Sequence, residues 1–316
     1  MTKKIFAPLI SVIIPVFNAE NYLSRTFESL KFQSYENLEF LFIDDGSSDN
    51  SKDMIRDFIN KDKRGRLLSK ENGGPASARN LGIKSANGDF VAFIDADDSI
   101  DMNYIKILYS NIEAANICVC KYEKNNINGS FVPNWPNQKL ELSGRRAASK
   151  IYENDSHVMC ISPWCKLFRY EFIKKYKFPE GIMAEDEALA YIIFYEANRV
   201  VFLPNVLYKY YSNVNSDSNR FIAIKAIDMC SIFFRQYTYF QKRDSVLAKI
   251  AYFNYFDNFY AYLYLLKKSN LEVHNELFEK NSANKYSFFK YFLRAPIKSV
   301  MTLLRIIRYR FAPSKK

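Results

Sequence analysis

The sequence predicts an α/β fold: a doubly wound, mostly parallel nucleotide-binding sheet followed by a C-terminal helical region. Three observations predict it. Apolar runs of strand length alternate with stretches of helical periodicity, the connections between them are short, and several strands end in clustered carboxylates. Open α/β sheets bind ligands at the carboxyl ends of their strands, so these acids mark a functional edge as well as a fold.

The β-branched run Ile10-Ser11-Val12-Ile13-Ile14 is the first strand, expected to end at Pro15, which has no N–H to give a sheet. Asn18 is the expected N-cap of a helix in which Tyr22, Leu23, Thr26, Phe27 and Leu30 recur at helical spacing. Leu38 to Ile43 is a second strand, running into Asp44-Asp45-Gly46-Ser47-Ser48. Ser48 or Asp49 then caps a helix through Met54, Ile55 and Phe58, and a short third strand lies around Leu67-Leu68. Gly73-Gly74-Pro75 precedes a small-residue helix, Ala76 to Ser85, and Gly88 closes it.

The fourth strand, Phe90 to Ile94, is apolar throughout, as a strand buried on both faces should be, and ends in Asp95-Ala96-Asp97-Asp98. On its own this stretch has two readings: carboxylates that hold a cation and a diphosphate, or a turn and helix cap before the helix Met102 to Ala114. Ile117 to Cys120 is a further strand. Beyond Glu123 the pattern loosens into Asn- and Pro-containing loops, and the acidic cluster Glu185-Asp186-Glu187 then opens an apolar helix, Leu189 to Tyr195. From Arg220 the chain turns helical and aromatic; Ala251 to Leu266 is too short, and too interrupted by Asn254, Asp257 and Asn258, for a membrane span.

The hydrophobic content of 48% indicates a packed protein. Five cysteines, an odd number, and a Met-Thr-Lys-Lys-Ile start without an apolar leader point to reduced thiols and a cytoplasmic setting. Zinc is disfavoured because the two histidines, His157 and His274, are far apart and the cysteines form no paired knuckle. The net charge of +11 is concentrated in one tail: residues 281–316 carry nine Lys or Arg and no acid. After Pro296 the apolar positions Ile297, Val300, Met301, Leu304, Ile307 and Phe311 follow helical spacing. Such a basic amphipathic helix can lie on an anionic membrane or dock on a second subunit, giving a homo-oligomer.

The strand-end acids are more informative together. Asp45 and Asp95 stand at the same end of one sheet, so one cleft can use both. Asp45 can accept the imide N–H of uracil, Asp95 can take ribose hydroxyls, and Asp97 can take a divalent cation that bridges phosphates. Neither G-x-x-x-x-G-K nor G-x-G-x-x-G is present, which disfavours P-loop and dinucleotide chemistry.

Ser11 to Asn18, Asp44-Asp45-Gly46-Ser47, Asn72 to Asn80, Asp95-Ala96-Asp97-Asp98 and Glu185-Asp186 resemble, in order and spacing, the motifs of family 2 glycosyltransferases of the GT-A fold. The resemblance spans roughly residues 8–215. It implies an inverting transferase of bacterial surface-polysaccharide type that uses a UDP-sugar with Mn²⁺ or Mg²⁺. It implies that Pro15, Phe17, Asp45, Asn72, Arg79, Asp95, Ala96 and Asp97 bind the nucleotide-sugar, with Asp97 on the metal and Asp98 as a second metal candidate. Asp186 would be the catalytic base, supported by Glu185, and an α-linked donor would give a β-glycoside. Trp164 and Lys166 are acceptor candidates, offering an aromatic face and a polar group beside the base. The Q-x-x-R-W signature of processive synthases is absent, so one sugar per encounter is expected.

On this reading residues 1–218 form the catalytic domain, with a nucleotide-sugar half to about 122 and an acceptor half over 123–218, and residues 219–316 form the helical, basic region. The acceptor would be a cell-surface glycan or polyprenyl-linked precursor met at the inner face of the membrane. A sugar-nucleotide nucleotidyltransferase should instead show a Gly-rich basic loop after the first strand, where this chain has Pro15-Val16-Phe17-Asn18. A nucleic-acid-binding module would leave the strand-end acids without a role, so nucleic acid is not an expected partner.

Overall fold

The computed structural model describes residues 7–126, 129–212 and 223–268. The chain divides into two compact units, Met1–Asn219 and Arg220–Lys316.

In the first unit the strands are β1 (Ile10–Val16), β2 (Leu38–Asp44), β3 (Gly65–Ser69), β4 (Phe90–Phe93), β5 (Ser99–Ile100), β6 (Ile117–Asn126), β7 (Gly129–Phe131), β8 (Leu140–Ser143), β9 (Lys166–Arg169) and β10 (Arg199–Tyr211). The helices are α1 (Leu23–Lys31), α2 (Ser51–Lys61), α3 (Gly74–Ser85), α4 (Tyr104–Ile112), α5 (Gly144–Ser149), α6 (His157–Ile161), α7 (Tyr170–Ile173) and α8 (Glu185–Glu196). One mixed sheet has the order β3-β2-β1-β4-β9-β6-β10-β5, with β7 on β6 and β8 on β10. β1 to β4 run parallel, and β9 enters antiparallel between β4 and β6. The order reverses at β1, which has β2 on one side and β4 on the other, and that reversal opens a crevice at the strands' carboxyl ends.

Side-chain alternation explains why helices cover both faces. Val12 and Ile14 are in register with Phe40 and Phe42, and Phe27 of α1 and Phe58 of α2 pack edge-on against Phe42 at 5.6 and 5.5 Å. The other face presents Ile13 and Leu41 to α3. There Gly82 lets helix and strand approach closely, since a Cβ at that position would fall 2.3 Å from Ile13 Cγ2.

Two local expectations are corrected. β1 continues through Pro15 to Val16. Ile13 turns its carbonyl to Ile94 N–H on the β4 side, and Pro15, two residues on, faces that same side after pairing with β4 has ended at Phe93. Its missing N–H therefore costs no ladder bond. Asn18 does not cap α1, which starts at Leu23; it has φ +47°, and its side-chain oxygen accepts from the Ser48 N–H, tying the loop after β1 to the loop after β2.

All five cysteines are buried and free of disulfides. In the second unit α9 (Ala223–Gln241) and α10 (Ser245–Lys268) pack through Cys230, Phe233, Tyr252, Tyr255 and Phe256. Asp244 caps α10 by accepting from the N–H groups of Val246 and Leu247. Among the described residues no helix is long and apolar enough to cross a membrane. The amphipathic stretch after Pro296 lies outside the described residues.

Candidate active site

The carboxyl ends of β1, β2 and β4 carry the loops that the strand-end acids announce. Pro15 is partly exposed, and Phe17, the first residue beyond β1, is 52% exposed despite its size. Asp44 is buried at the end of β2. Burial pushes its carboxyl up, but hydrogen bonds from Ser47 and the Lys52 ammonium at 3.1 Å bring it below the usual range.

Asp45, 3% exposed, organises the neighbouring loop: Lys70 Nζ donates to one oxygen at 2.6 Å, Gly73 N–H to the same oxygen at 3.0 Å, and Gly74 N–H to the other at 2.7 Å. Gly46 has φ +79°, and a Cβ there would meet the Asn72 backbone at 2.9 Å, so glycine allows the two loops to touch. Asn72 itself is exposed at this junction.

The loop after β4 is clamped from two sides. The Thr26 hydroxyl of α1 lies 2.9 Å from the Ala96 carbonyl and 2.8 Å from that of Asp98. Asp98 is fully buried: Tyr208 OH donates to one of its oxygens at 2.6 Å and Tyr211 N–H to the other at 2.9 Å, while the Asp95 N–H donates to the Tyr208 oxygen at 3.2 Å. Asp98, the second metal candidate, turns its carboxylate to β10 and fixes the loop. Burial, with Asp97 and Asp95 adding, pushes its carboxyl well above the usual range. Tyr208→Phe removes a buried donor from this network and is expected to cost about 1–3 kcal/mol of stability, read from chemical denaturation.

The centre of the arrangement is Arg79 on α3. Its guanidinium is 8% exposed and reaches Glu185 at 2.5 Å and Asp95 at 3.5 Å, while its Nε is buried without an acceptor. Burial works against its charge, and Asp95, Glu185 and Asp186 more than restore it. Phe178 backs the group, with the guanidinium carbon 5.5 Å from its ring centre. One cation thus joins the β4 loop to the start of α8.

α8 opens with Glu185, Asp186 and Glu187 in its first turn, after Ala184 in the left-handed region at φ +62°. Three acids suit a helix N-terminus, but two of them also meet in this crevice. The Asp186 carboxyl is pushed up to about 6, first by burial and then by Glu185, with Arg79 opposing and Asp95 adding further. Asp95 is likewise pushed up to about 6, by burial first, against Arg79 and with Asp97 and Glu185 adding. Such excess negative charge fits a polyanionic ligand only with a cation. Among the described residues no cluster of three side chains forms a complete metal site; Asp95 and Asp97 fit the common case in which one or two carboxylates share a cation with substrate phosphates.

The two acceptor candidates, Lys166 and Trp164, are both buried. Lys166 is 1% exposed, and its ammonium donates to the carbonyls of Met159, Ser162 and Trp164, which use all three of its protons. Trp164 is 5% exposed and stacked on Tyr208 and Tyr210 at 4.8 and 5.6 Å, so its ring packs between β10 side chains. Sequence reasoning missed Thr26, Lys70 and the role of Tyr208. Lys70 had a legible signal, a cation at the end of β3 two residues before Asn72; Thr26 showed only as a hydroxyl on an apolar helix face.

A family model described as Glycosyl transferase family 2 matches residues 11–177. Glycosyltransferase GlyA of Streptococcus pneumoniae serotype 4 is 32% identical over 216 residues, 64% of this chain and 30% of GlyA. Glycosyltransferase GlyG of the same strain is 31% identical over 214 residues, covering 64% of this chain and 70% of GlyG. The uncharacterized glycosyltransferase EpsJ of Bacillus subtilis is 30% identical over 219 residues, 66% of this chain and 62% of EpsJ. The chain therefore spans well under half of GlyA and less than two thirds of EpsJ.

Among solved structures, S. aureus TarS 1-349 in complex with UDP-GlcNAc superposes with a TM-score of 0.63 at 21% identity, covering 97% of this chain and 93% of that one. The mannosyltransferase PcManGT from Pyrobaculum calidifontis, in complex with GDP-Man and Mn²⁺, gives 0.55 at 15% identity, with 98% and 89% covered. At these identities the likeness is one of fold, and the fold is the GT-A type.

Proposed function

The chain belongs to glycosyl transferase family 2, and we propose that it moves a single sugar from a UDP-sugar to a hydroxyl of a cell-surface glycan or its lipid-linked precursor, by direct inverting displacement. The observation that carries this reading is the convergence of Asp95, Arg79, Glu185 and Asp186 from three elements on the crevice beside the Asp45 loop. A helix cap or a surface turn has no need of that convergence.

At the donor end, Pro15, Asn72 and Ala96 line the nucleotide path, and the exposed ring of Phe17 offers a face to the base. Three donors occupy Asp45, which leaves one lone-pair direction to accept the imide N–H of uracil. Asp95 takes the ribose and phosphate region. Mn²⁺ or Mg²⁺ would be held by Asp97 with Asp95, and would neutralise the charge developing on the departing diphosphate. Arg79 engages Glu185 through one terminal nitrogen and Asp95 through the other, two of its five N–H groups, so it orders the site while it faces the nucleotide.

Asp186 takes the proton of the acceptor hydroxyl as its oxygen attacks the anomeric carbon, on the face opposite the leaving diphosphate. Its raised carboxyl suits that task, because a base near 6 is ionised at neutral pH and still binds a proton usefully. Glu185, held by Arg79, positions it. With an α-linked donor the product is a β-glycoside. The basic tail, residues 281–316, would hold the enzyme at an anionic leaflet carrying a polyprenyl-linked acceptor.

Turnover of the cognate UDP-sugar is expected to collapse on adding a chelator and to recover with Mn²⁺ or Mg²⁺, and Asp97→Ala is expected to remain inactive after metal is restored. Full activity in chelator, or wild-type turnover by Asp97→Ala, would refute the metal assignment.

A further inference from the structure

Beyond the donor crevice, the outer face of α3 and the segment after β9 enclose an open groove of about 890 Å³. Its wall carries five lysines, Lys70, Lys84, Lys174, Lys175 and Lys177, against a single acid, Glu180. Three of the five are partly spent: Lys70 on Asp45 at 2.6 Å, Lys174 on Glu171 at 2.6 Å and Lys177 on Glu180 at 3.1 Å. Lys84 and Lys175 are exposed and make no ion pair among the described residues. Lysines gathered around one concavity raise the local concentration of anions well above what scattered surface charges do.

The groove is braced and lies a short stretch of chain from Asp186. Asn80 Nδ2 donates to the Phe178 carbonyl and to Glu180, and its oxygen accepts from Phe178 N–H, which pins the lysine-bearing segment onto α3. That segment continues directly into α8. From Glu180 to Asp186 is six residues, at most about 20 Å of chain, so a ligand of a few sugar units can lie in the groove and still present its end to Asp186. Tyr170 and Tyr176 give the same wall aromatic surface of the kind that packs on sugar rings.

Insertion into a lipid surface does not explain the groove. A surface that inserts into lipid needs exposed apolar anchors, and none of the large exposed hydrophobics of the described residues lines it.

We propose that this groove binds an anionic stretch of the acceptor, a glycan bearing phosphodiester or carboxylate groups, and leads its terminal hydroxyl toward Asp186. The acceptor assignment rests on the transferase reading above; the anion site does not. Titration calorimetry of the full chain with poly(glycerol phosphate), polygalacturonate and neutral dextran tests it, with phosphatidylglycerol vesicles followed by co-sedimentation and UDP titrated separately. At least one of the two charged polymers is expected to bind and dextran to be ignored, and Lys84→Glu with Lys175→Glu is expected to weaken polymer binding at least tenfold while UDP affinity stays unchanged. Equal polymer affinity in wild type and double variant, equal binding of dextran, or binding of the vesicles without either polymer would overturn the proposal. Lysine-dependent polymer binding in a protein that fails to take UDP would confirm the anion site and refute the donor assignment instead.

Discussion

Asp186→Asn is expected to lower sugar transfer by about 10²–10⁴-fold, the usual worth of a positioned general base. UDP affinity should be unchanged, because the substitution keeps the side chain's shape and lies outside the nucleotide path. The melting temperature should hold or rise. The folded protein keeps this carboxyl half-buried beside Glu185, an environment that opposes its ionisation and raises it to about 6, so a neutral amide relieves a cost. The sign for activity is the reverse of that for stability. A base must be deprotonated to act, so the rate should rise with pH through about 6 and level off above it, and at pH 5 should be about tenfold below the plateau. A flat profile between pH 5 and 8, or full transfer by Asp186→Asn, would remove Asp186 as the base.

Arg79→Met is expected to destabilise the protein by about 3–5 kcal/mol, the cost of leaving a buried ion pair's partner uncompensated. Glu185 and Asp95 would then share the crevice with no cation between them. The double variant Arg79→Met with Glu185→Gln should recover a substantial part of the loss, since the carboxylate left stranded is then neutral. Chemical denaturation of the two single variants and the double variant reads this directly. A loss below about 1 kcal/mol for Arg79→Met would mean that the guanidinium does not join the β4 loop to α8.

The alternating sheet of the first half was legible because its signals are local. Apolar runs ending in Asp44-Asp45 and Asp95-Ala96-Asp97-Asp98 carry strand and boundary within a few residues, and parallel order follows from alternation with helices. The features that escaped are made by partners distant in sequence. Whether Asp98 binds a cation or braces a loop depends on Tyr208 and Tyr211, which arrive from β10 more than 100 residues later. Glu185 meets Arg79 across 106 positions, and without that contact an acidic helix start reads as ordinary capping. The antiparallel insertion of β9 between β4 and β6 was likewise illegible. It buries Lys166 and Trp164, whose residue types had pointed to the acceptor.

The proposed function requires that the acids at the ends of β2, β4 and the start of α8 serve one nucleotide-sugar. The most direct test is UDP release from a panel of α-linked UDP-sugars, measured in Mn²⁺ for wild type and Asp186→Asn. One sugar, or a narrow group, should be turned over by the wild type while Asp186→Asn binds it and releases little UDP. Failure of every UDP-sugar to bind, or equal UDP release by both proteins, would contradict the account.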